Sequence, residues 1–175
     1  MAARRQPKKL DAEGLWEYAL KLLGQRPYAV ADLRRKLAGR AETASDVPAV
    51  MTKLKDYGFA NDQKFSETFA SSRLQNQGFG RFRVMRELYV KRVAQKVVEE
   101  AVNKVFAGTE EKDLIEQFLA RKYRGKNLNE FLREEKNLAS VYRRLRTAGF
   151  TSGGAFAVLK RYAREMEEWE EGEEG

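Results

Sequence analysis

Apolar residues recur along this chain every three or four positions and almost nowhere in strict alternation. That period fits the 3.6-residue turn of a helix, not the two-residue pleat of a strand. Leu15, Tyr18/Ala19, Leu22 and Leu23 line one face of a helix predicted over residues 12–23, with Gly24 as its stop. Val30, Leu33 and Leu37 mark a second, short helix stopped near Gly39. After a polar loop at 40–46, Ser45 or Asp46 can cap a third helix that starts near Val47-Pro48, carries Val50/Met51, Leu54 and Tyr57, and ends at Gly58.

The rhythm then restarts. Asn61 and Asp62 can cap a helix with Phe65, Phe69, Ser72 and Leu74, and Gly78-Phe79-Gly80 breaks the chain. Val84 and Leu88, with Met85, mark the next short helix. Ala94, Val97/Val98, Ala101/Val102 and Val105/Phe106 mark another, before Gly108. Thr109 is placed to cap a helix carrying Leu114/Ile115, Phe118 and Leu119. Residues 124–130 read as a long linker with room for a short turn. Leu138, Val141/Tyr142 and Leu145 lead to Gly149, and Thr151 or Ser152 caps a last helix with Phe156, Leu159, Tyr162/Ala163 and Met166. The pattern predicts an all-α protein of about nine helices, grouped as three tandem three-helix units of roughly 50 residues.

One phrase occurs twice. Residues 54–65 read LKDYGFANDQKF and residues 145–156 read LRTAGFTSGGAF; both obey Leu-x-x-x-Gly-Phe-x5-Phe. A glycine after a helical run takes the left-handed conformation and satisfies the last carbonyls. The phrase therefore predicts a helix–corner–helix hinge, with Phe65 beside Phe59 and Phe156 beside Phe150.

Composition narrows the chemistry. The 175 residues include no cysteine and no histidine, which removes disulfides, most metal sites and the common nucleophilic triads. No apolar run approaches the ~20 residues that span a bilayer, and the basic start lacks the apolar stretch of a signal peptide. These features point to a soluble, intracellular, non-enzymatic protein. Net charge is +8, unevenly spread: seven glutamates follow Arg164, and the preceding residues hold all 34 basic side chains against 19 acidic ones, a net of +15. A body that basic suggests a polyanionic partner. Glu99-Glu100, Glu110-Glu111 and Glu134-Glu135 are neighbours on helices, point apart and read as solvated surface. Gly78-Phe79-Gly80 lacks the strand and the Gly-Lys-Ser/Thr of a phosphate loop.

Several runs together resemble the RecX family, bacterial regulators of the RecA recombinase. Ala19-Leu20-x-Leu22-Leu23-x-x-Arg26-x-Tyr28-x-x-x-Asp32-Leu33-x-x-Lys36-Leu37 is similar to the family's opening repeat. Leu54-x-x-x-Gly58-Phe59-Ala60-Asn61-Asp62-x-x-Phe65 follows, and Gly80-x-x-x-Val84-x-x-Glu87-Leu88-x-x-Lys91 resembles the middle repeat. Arg143-Arg144-Leu145-x-x-x-Gly149-Phe150-Thr151 resembles the closing one. The ordered set covers roughly residues 15–163. The resemblance implies three tandem helix-turn-helix-like repeats in an elongated, curved molecule. Its divisions here are a basic arm at 1–11, repeats at 12–60, 61–108 and 109–165, and an acidic tail at 166–175. In one departure Lys91 is followed by Arg92 where the family usually has glycine.

The resemblance also implies binding to the RecA–DNA filament and restraint of strand exchange, ATP turnover and co-protease action. It implies weaker, electrostatic contact with single- and double-stranded DNA, a monomeric state, no cofactor, no membrane and a bacterial cytoplasmic setting. Candidate contacts are Arg34, Arg35 and Lys36; Arg81, Arg83, Arg86, Lys91 and Arg92; and Arg143, Arg144 and Arg146. Arg121, Lys122 and Arg124 form a further basic cluster, explained at least partly as helix-end charges that complement the dipole. In Gly-Phe-Gly-Arg-Phe-Arg, residues 78–83, aromatics interleave with arginine. Phe82 is expected in the core, while Phe79 could be core or a stacking surface. Two other readings fit the residues alone: a stand-alone helix-turn-helix nucleic-acid-binding protein, and a helical scaffold for acidic proteins.

Overall fold

The computed structural model describes the backbone of residues 8–173 and the side chains of residues 8–162. Most of the expected basic arm, Ala163, Met166 and the glutamate side chains of the tail lie outside the described residues.

Ten α-helices occur among the described residues. They are α1 (Ala12–Gln25), α2 (Val30–Ala38), α3 (Asp46–Asp56), α4 (Asp62–Ser72), α5 (Arg81–Val90), α6 (Gln95–Val105), α7 (Glu111–Lys122), α8 (Leu128–Phe131), α9 (Glu135–Ala148) and α10 (Ser152–Glu173). A π-helical turn, Arg73–Gln77, extends α4. The tenth helix is α8, a single turn inside the expected linker. Asn127 starts it by accepting hydrogen bonds from the amides of Asn129 (3.1 Å) and Glu130 (3.4 Å). Helix α1 runs through Gly24, which does not stop it.

The chain forms two compact units. Unit one holds residues up to Thr68 together with Leu88–Ala101; unit two holds Phe69–Glu87 together with the chain from Val102 onward. The unit-one core is Leu15, Ala19 and Leu22 of α1, Leu33 and Leu37 of α2, and Val50, Met51 and Leu54 of α3, on the faces that the spacing predicts, with Val47 added. Tyr57, expected on the third face, follows the end of α3 and is 63% exposed. Leu10 joins the core: its amide donates to the Arg40 carbonyl and its carbonyl accepts from the Glu42 amide, both at 2.8 Å. The unit-two core joins Leu114, Ile115, Phe118 and Leu119 of α7, Val141 and Leu145 of α9, Phe150, and Ala155, Val158 and Leu159 of α10.

Both copies of the repeated phrase fold into the same corner. Gly58 and Gly149 are left-handed, with φ of 72° and 95°. The Phe59 amide returns to the Leu54 carbonyl at 2.8 Å, and the Phe150 amide to the Leu145 carbonyl at 3.2 Å. These are the same six-to-one closure of a helix end. The helices that follow differ by one residue. Asn61 caps α4 through the Lys64 amide at 2.9 Å, so Phe65 is the fourth helical residue and is buried. Thr151 caps α10 through the Gly154 amide at 2.9 Å, so Ala155 is fourth and Phe156 fifth. One residue turns a helical position by about 100°. Ala155 is therefore buried and Phe156 is 63% exposed, against the expectation for Phe156.

The phenylalanines of the corners also part company. Phe150 is fully buried and meets Phe118 edge-on at 5.6 Å. Phe59 is half exposed and forms a surface cluster with Tyr57 and Trp16.

Several expected caps act elsewhere. Asp62 does not cap its own helix; its carboxylate accepts from the Val30 amide at 2.8 Å and starts α2, which has no side-chain cap of its own. Neither Ser45 nor Thr109 caps: Ser45 makes no such bond, and α7 begins after Glu110. Glu111 is not a merely solvated carboxylate. It accepts from the Thr151 amide at 2.7 Å and from the Thr151 hydroxyl, which fixes the start of α10.

Candidate functional site

The basic residues singled out by sequence fall into three physical situations. In unit one, Arg34 is exposed and makes no hydrogen bond or ion pair among the described residues. Arg35 donates to Asp32 at 2.8 Å, and the other oxygen of Asp32 lies 3.6 Å from the Lys91 ammonium. Lys36 lies 5.8 Å from the centre of the Tyr28 ring. Lys91 also sits over Phe65. One carboxylate thus gathers Arg35 and Lys91, residues 56 positions apart in sequence that come together only on folding.

In unit two most of the candidate arginines are structural braces. Arg81 donates to Asn103. Arg86 reaches the Thr147 carbonyl at 3.4 Å, and Arg146 closes on the Phe150 carbonyl at the corner. Arg83 donates to Glu87 at 3.0 Å, Arg73 donates to its other oxygen at 2.7 Å, and the Arg83 guanidinium lies 3.6 Å above the Phe79 ring. Burial pushes the Glu87 pKa up, but the hydrogen bonds and charges of Arg83 and Arg73 outweigh it and hold the carboxyl below its ordinary value. Arg143 and Arg144 are exposed on α9.

The start of α5 is built against the end of α9. The Gly80 amide donates to the Ala148 carbonyl at 2.9 Å, and the Phe82 amide to the Gly149 carbonyl at 3.2 Å. The unpaired amides of one helix start thereby satisfy the unpaired carbonyls of another helix end. This arrangement turns Phe82 outward, 51% exposed, contrary to its expected core position, while Phe79 packs against the unit-two core.

Beside this junction the surface opens into a cleft of about 590 Å³. Its basic lining is Arg83, Arg121, Lys122 and Arg144, joined by Asn76 and Gln77 of the π turn, and no carboxylate lines it. Arg121 donates to the carbonyls of Asn76 (3.4 Å) and Gln77. The structure so brings two predicted contacts, Arg83 and Arg144, together with Arg121 and Lys122, a basic cluster that the helix dipole explains only in part. The local pattern stops at the basic helix end. Only the fold shows that it faces other cations. Arg34–Lys36, Lys91 and Arg92 are not part of the cleft.

Residues 61–102 match the family model described as RecX, second three-helix domain. A regulatory protein RecX of Trichlorobacter lovleyi is 27% identical over 134 residues, 77% of this chain and 86% of that one. In sequence the chain is similar to proteins of the RecX family. A RecX of Photobacterium profundum is 39% identical over 66 residues, 38% of this chain. The chain covers a quarter of the length of that relative and 56% of another. In fold it is similar to the crystal structure of RecX from Lactobacillus salivarius, with a TM-score of 0.65 at 15% identity, covering 87% of this chain and 96% of the other.

Against the usual RecX pattern, the residue after Lys91 is arginine, and the structure shows that the corner is kept. Arg92 has φ of 61°, the single non-glycine residue with positive φ among those described. Its amide donates to Tyr89 at 2.8 Å, and the Val93 amide reaches the Leu88 carbonyl at 3.4 Å, the same six-to-one pattern as at Gly58 and Gly149. A side chain in the left-handed region costs about 1–2 kcal/mol, partly offset by the extra freedom glycine has when unfolded. Arg92→Gly is therefore expected to stabilise the protein by about 1 kcal/mol. Urea unfolding at constant m checks it.

Proposed function

We propose that this chain is a RecX-type regulator of the RecA recombinase, binding the RecA–DNA filament and slowing strand exchange, ATP turnover and co-protease action. The observation that carries this reading is the similarity to RecX proteins, together with a few surface cations that no carboxylate compensates. Arg34 and Arg143 are exposed without partners among the described residues, and Arg144 lines a cleft with no carboxylate. Such groups suit the phosphates and acidic side chains of a nucleoprotein filament. Within this reading Arg35, Lys36 and Arg92 add surface charge, and Arg81, Arg86, Lys91 and Arg146 hold the frame that presents it. None of the described helices is long and apolar enough to cross a membrane. No catalytic role is assigned to any residue.

The test is a salt-titrated binding comparison between a naked single strand and the same strand coated with RecA. Tighter binding to the coated strand is expected at every salt concentration. Equal or weaker binding to it would remove RecA as the partner and leave only a nucleic-acid-binding protein.

A further inference from the structure

The cleft of unit two gathers four cations, of which the fold uses Arg83 and Arg121 as braces. Arg83 shares the single carboxylate of Glu87 with Arg73, and Arg121, Lys122 and Arg144 line the same concavity with no carboxylate among the lining residues. Like charges gathered in a concavity repel, and their field focuses there. A bound polyanion removes that repulsion and releases its own counterions.

Two of the four cations are already held in place. Arg83 is fixed by Glu87 and lies flat on Phe79; Arg121 is fixed by the carbonyls that end the π turn. Each keeps further N–H groups in its planar fork. Lys122 and Arg144 are exposed and make no ion pair among the described residues, and the Arg144 guanidinium lies 5.7 Å from the centre of the Tyr123 ring. The volume, about 590 Å³, falls within the usual range of ligand clefts. A short run of flexible sugar-phosphate can enter it, whereas a stiff duplex presents its phosphates on a convex surface. Phe79 and the guanidinium lying on it add flat faces of the kind on which bases stack.

We propose that this cleft binds the phosphodiester backbone of a single nucleic-acid strand, with Lys122 and Arg144 contacting phosphate and Arg83 and Arg121 as pre-positioned donors. It would be the filament regulator's own hold on the strand, and rests on that reading for its setting. Its affinity for a naked strand needs no RecA.

The experiment is fluorescence anisotropy of a labelled oligo-dT strand with the full chain, the double variant Lys122→Glu/Arg144→Glu, and a control reversal in unit one, Lys21→Glu/Lys55→Glu. All four positions are exposed, and circular dichroism melts confirm that each variant is folded. The cleft variant is expected to bind at least about tenfold more weakly, with the slope of log affinity against log salt smaller by about 1.4, or 0.7 per lost phosphate contact. The control is expected to change affinity far less. Lys122→Ala/Arg144→Ala should fall between the cleft reversal and the native chain.

The proposal is overturned if the cleft variant binds like the native chain, or if the control loses as much. It is also overturned if polyglutamate, ATP or inorganic phosphate displaces the strand as effectively as unlabelled oligo-dT; the site would then take acidic protein or small anions. RecA turnover, measured in parallel, separates the two readings. Cleft-dependent strand binding without any effect on RecA leaves this site standing and removes the filament role. Slowed RecA with unaltered strand binding by the cleft variant removes the site alone.

Discussion

Gly149→Ala is expected to destabilise the protein by about 3–4 kcal/mol, against about 1 kcal/mol for Gly58→Ala. Both glycines are left-handed and end a helix in the same repeated phrase. At Gly58 an added Cβ meets nothing within 4 Å, so alanine there suffers only the left-handed backbone penalty. At Gly149 the same atom would lie 2.3 Å from the Arg83 nitrogen and 2.8 Å from the Gly80 carbonyl oxygen. Both are backbone atoms, so no rotamer change relieves the clash. The α9 end must move away from the α5 start, breaking the bonds from Gly80 and Phe82. With total stabilities of about 5–15 kcal/mol for native proteins, that loss is a large fraction of what holds the chain folded. Paired urea titrations read the difference; equal costs at the two glycines would contradict the close approach of α9 and α5.

The second large effect also separates the two copies of the phrase. Phe150→Ala is expected to cost about 3–5 kcal/mol, because it empties a fully buried site in the unit-two core and strands Phe118, its edge-on neighbour at 5.6 Å. Phe59→Ala is expected to cost about 1 kcal/mol or less, since Phe59 is half exposed and loses mainly its contacts with Tyr57 and Trp16. Thermal melts of the two variants side by side measure this.

These contrasts show how far the sequence can be read. Helix faces were legible because burial follows the 3.6-residue period: Leu15, Leu33, Leu54, Leu119 and Leu145 all lie where the spacing puts them. The left-handed corner at Arg92 has no glycine to mark it, but those at Gly58 and Gly149 were legible because the backbone and one residue type decide them. The register after the corner was not. Asn61 and Thr151 occupy positions one apart in the two phrases, and the choice between them turns Phe156 out and Ala155 in. Asp62 was visible as a capping residue, but its partner, the Val30 amide, lies 32 positions away. The candidate site followed the same rule. Charge and its clustering were visible, yet whether an arginine is free or braced depends on carbonyls such as those of Thr147 and Phe150, which no side-chain pattern reports. Arg121 and Lys122 join the candidate site only because α7 meets the π turn.

A RecA filament assembled on single-stranded DNA hydrolyses ATP at a steady rate, and that rate is the most direct test of the filament-regulator reading. Saturating amounts of this protein are expected to slow the turnover, with the effect weakening as salt rises because charged contacts are screened. Unchanged turnover at saturating protein, under conditions where the strand remains coated, would contradict it.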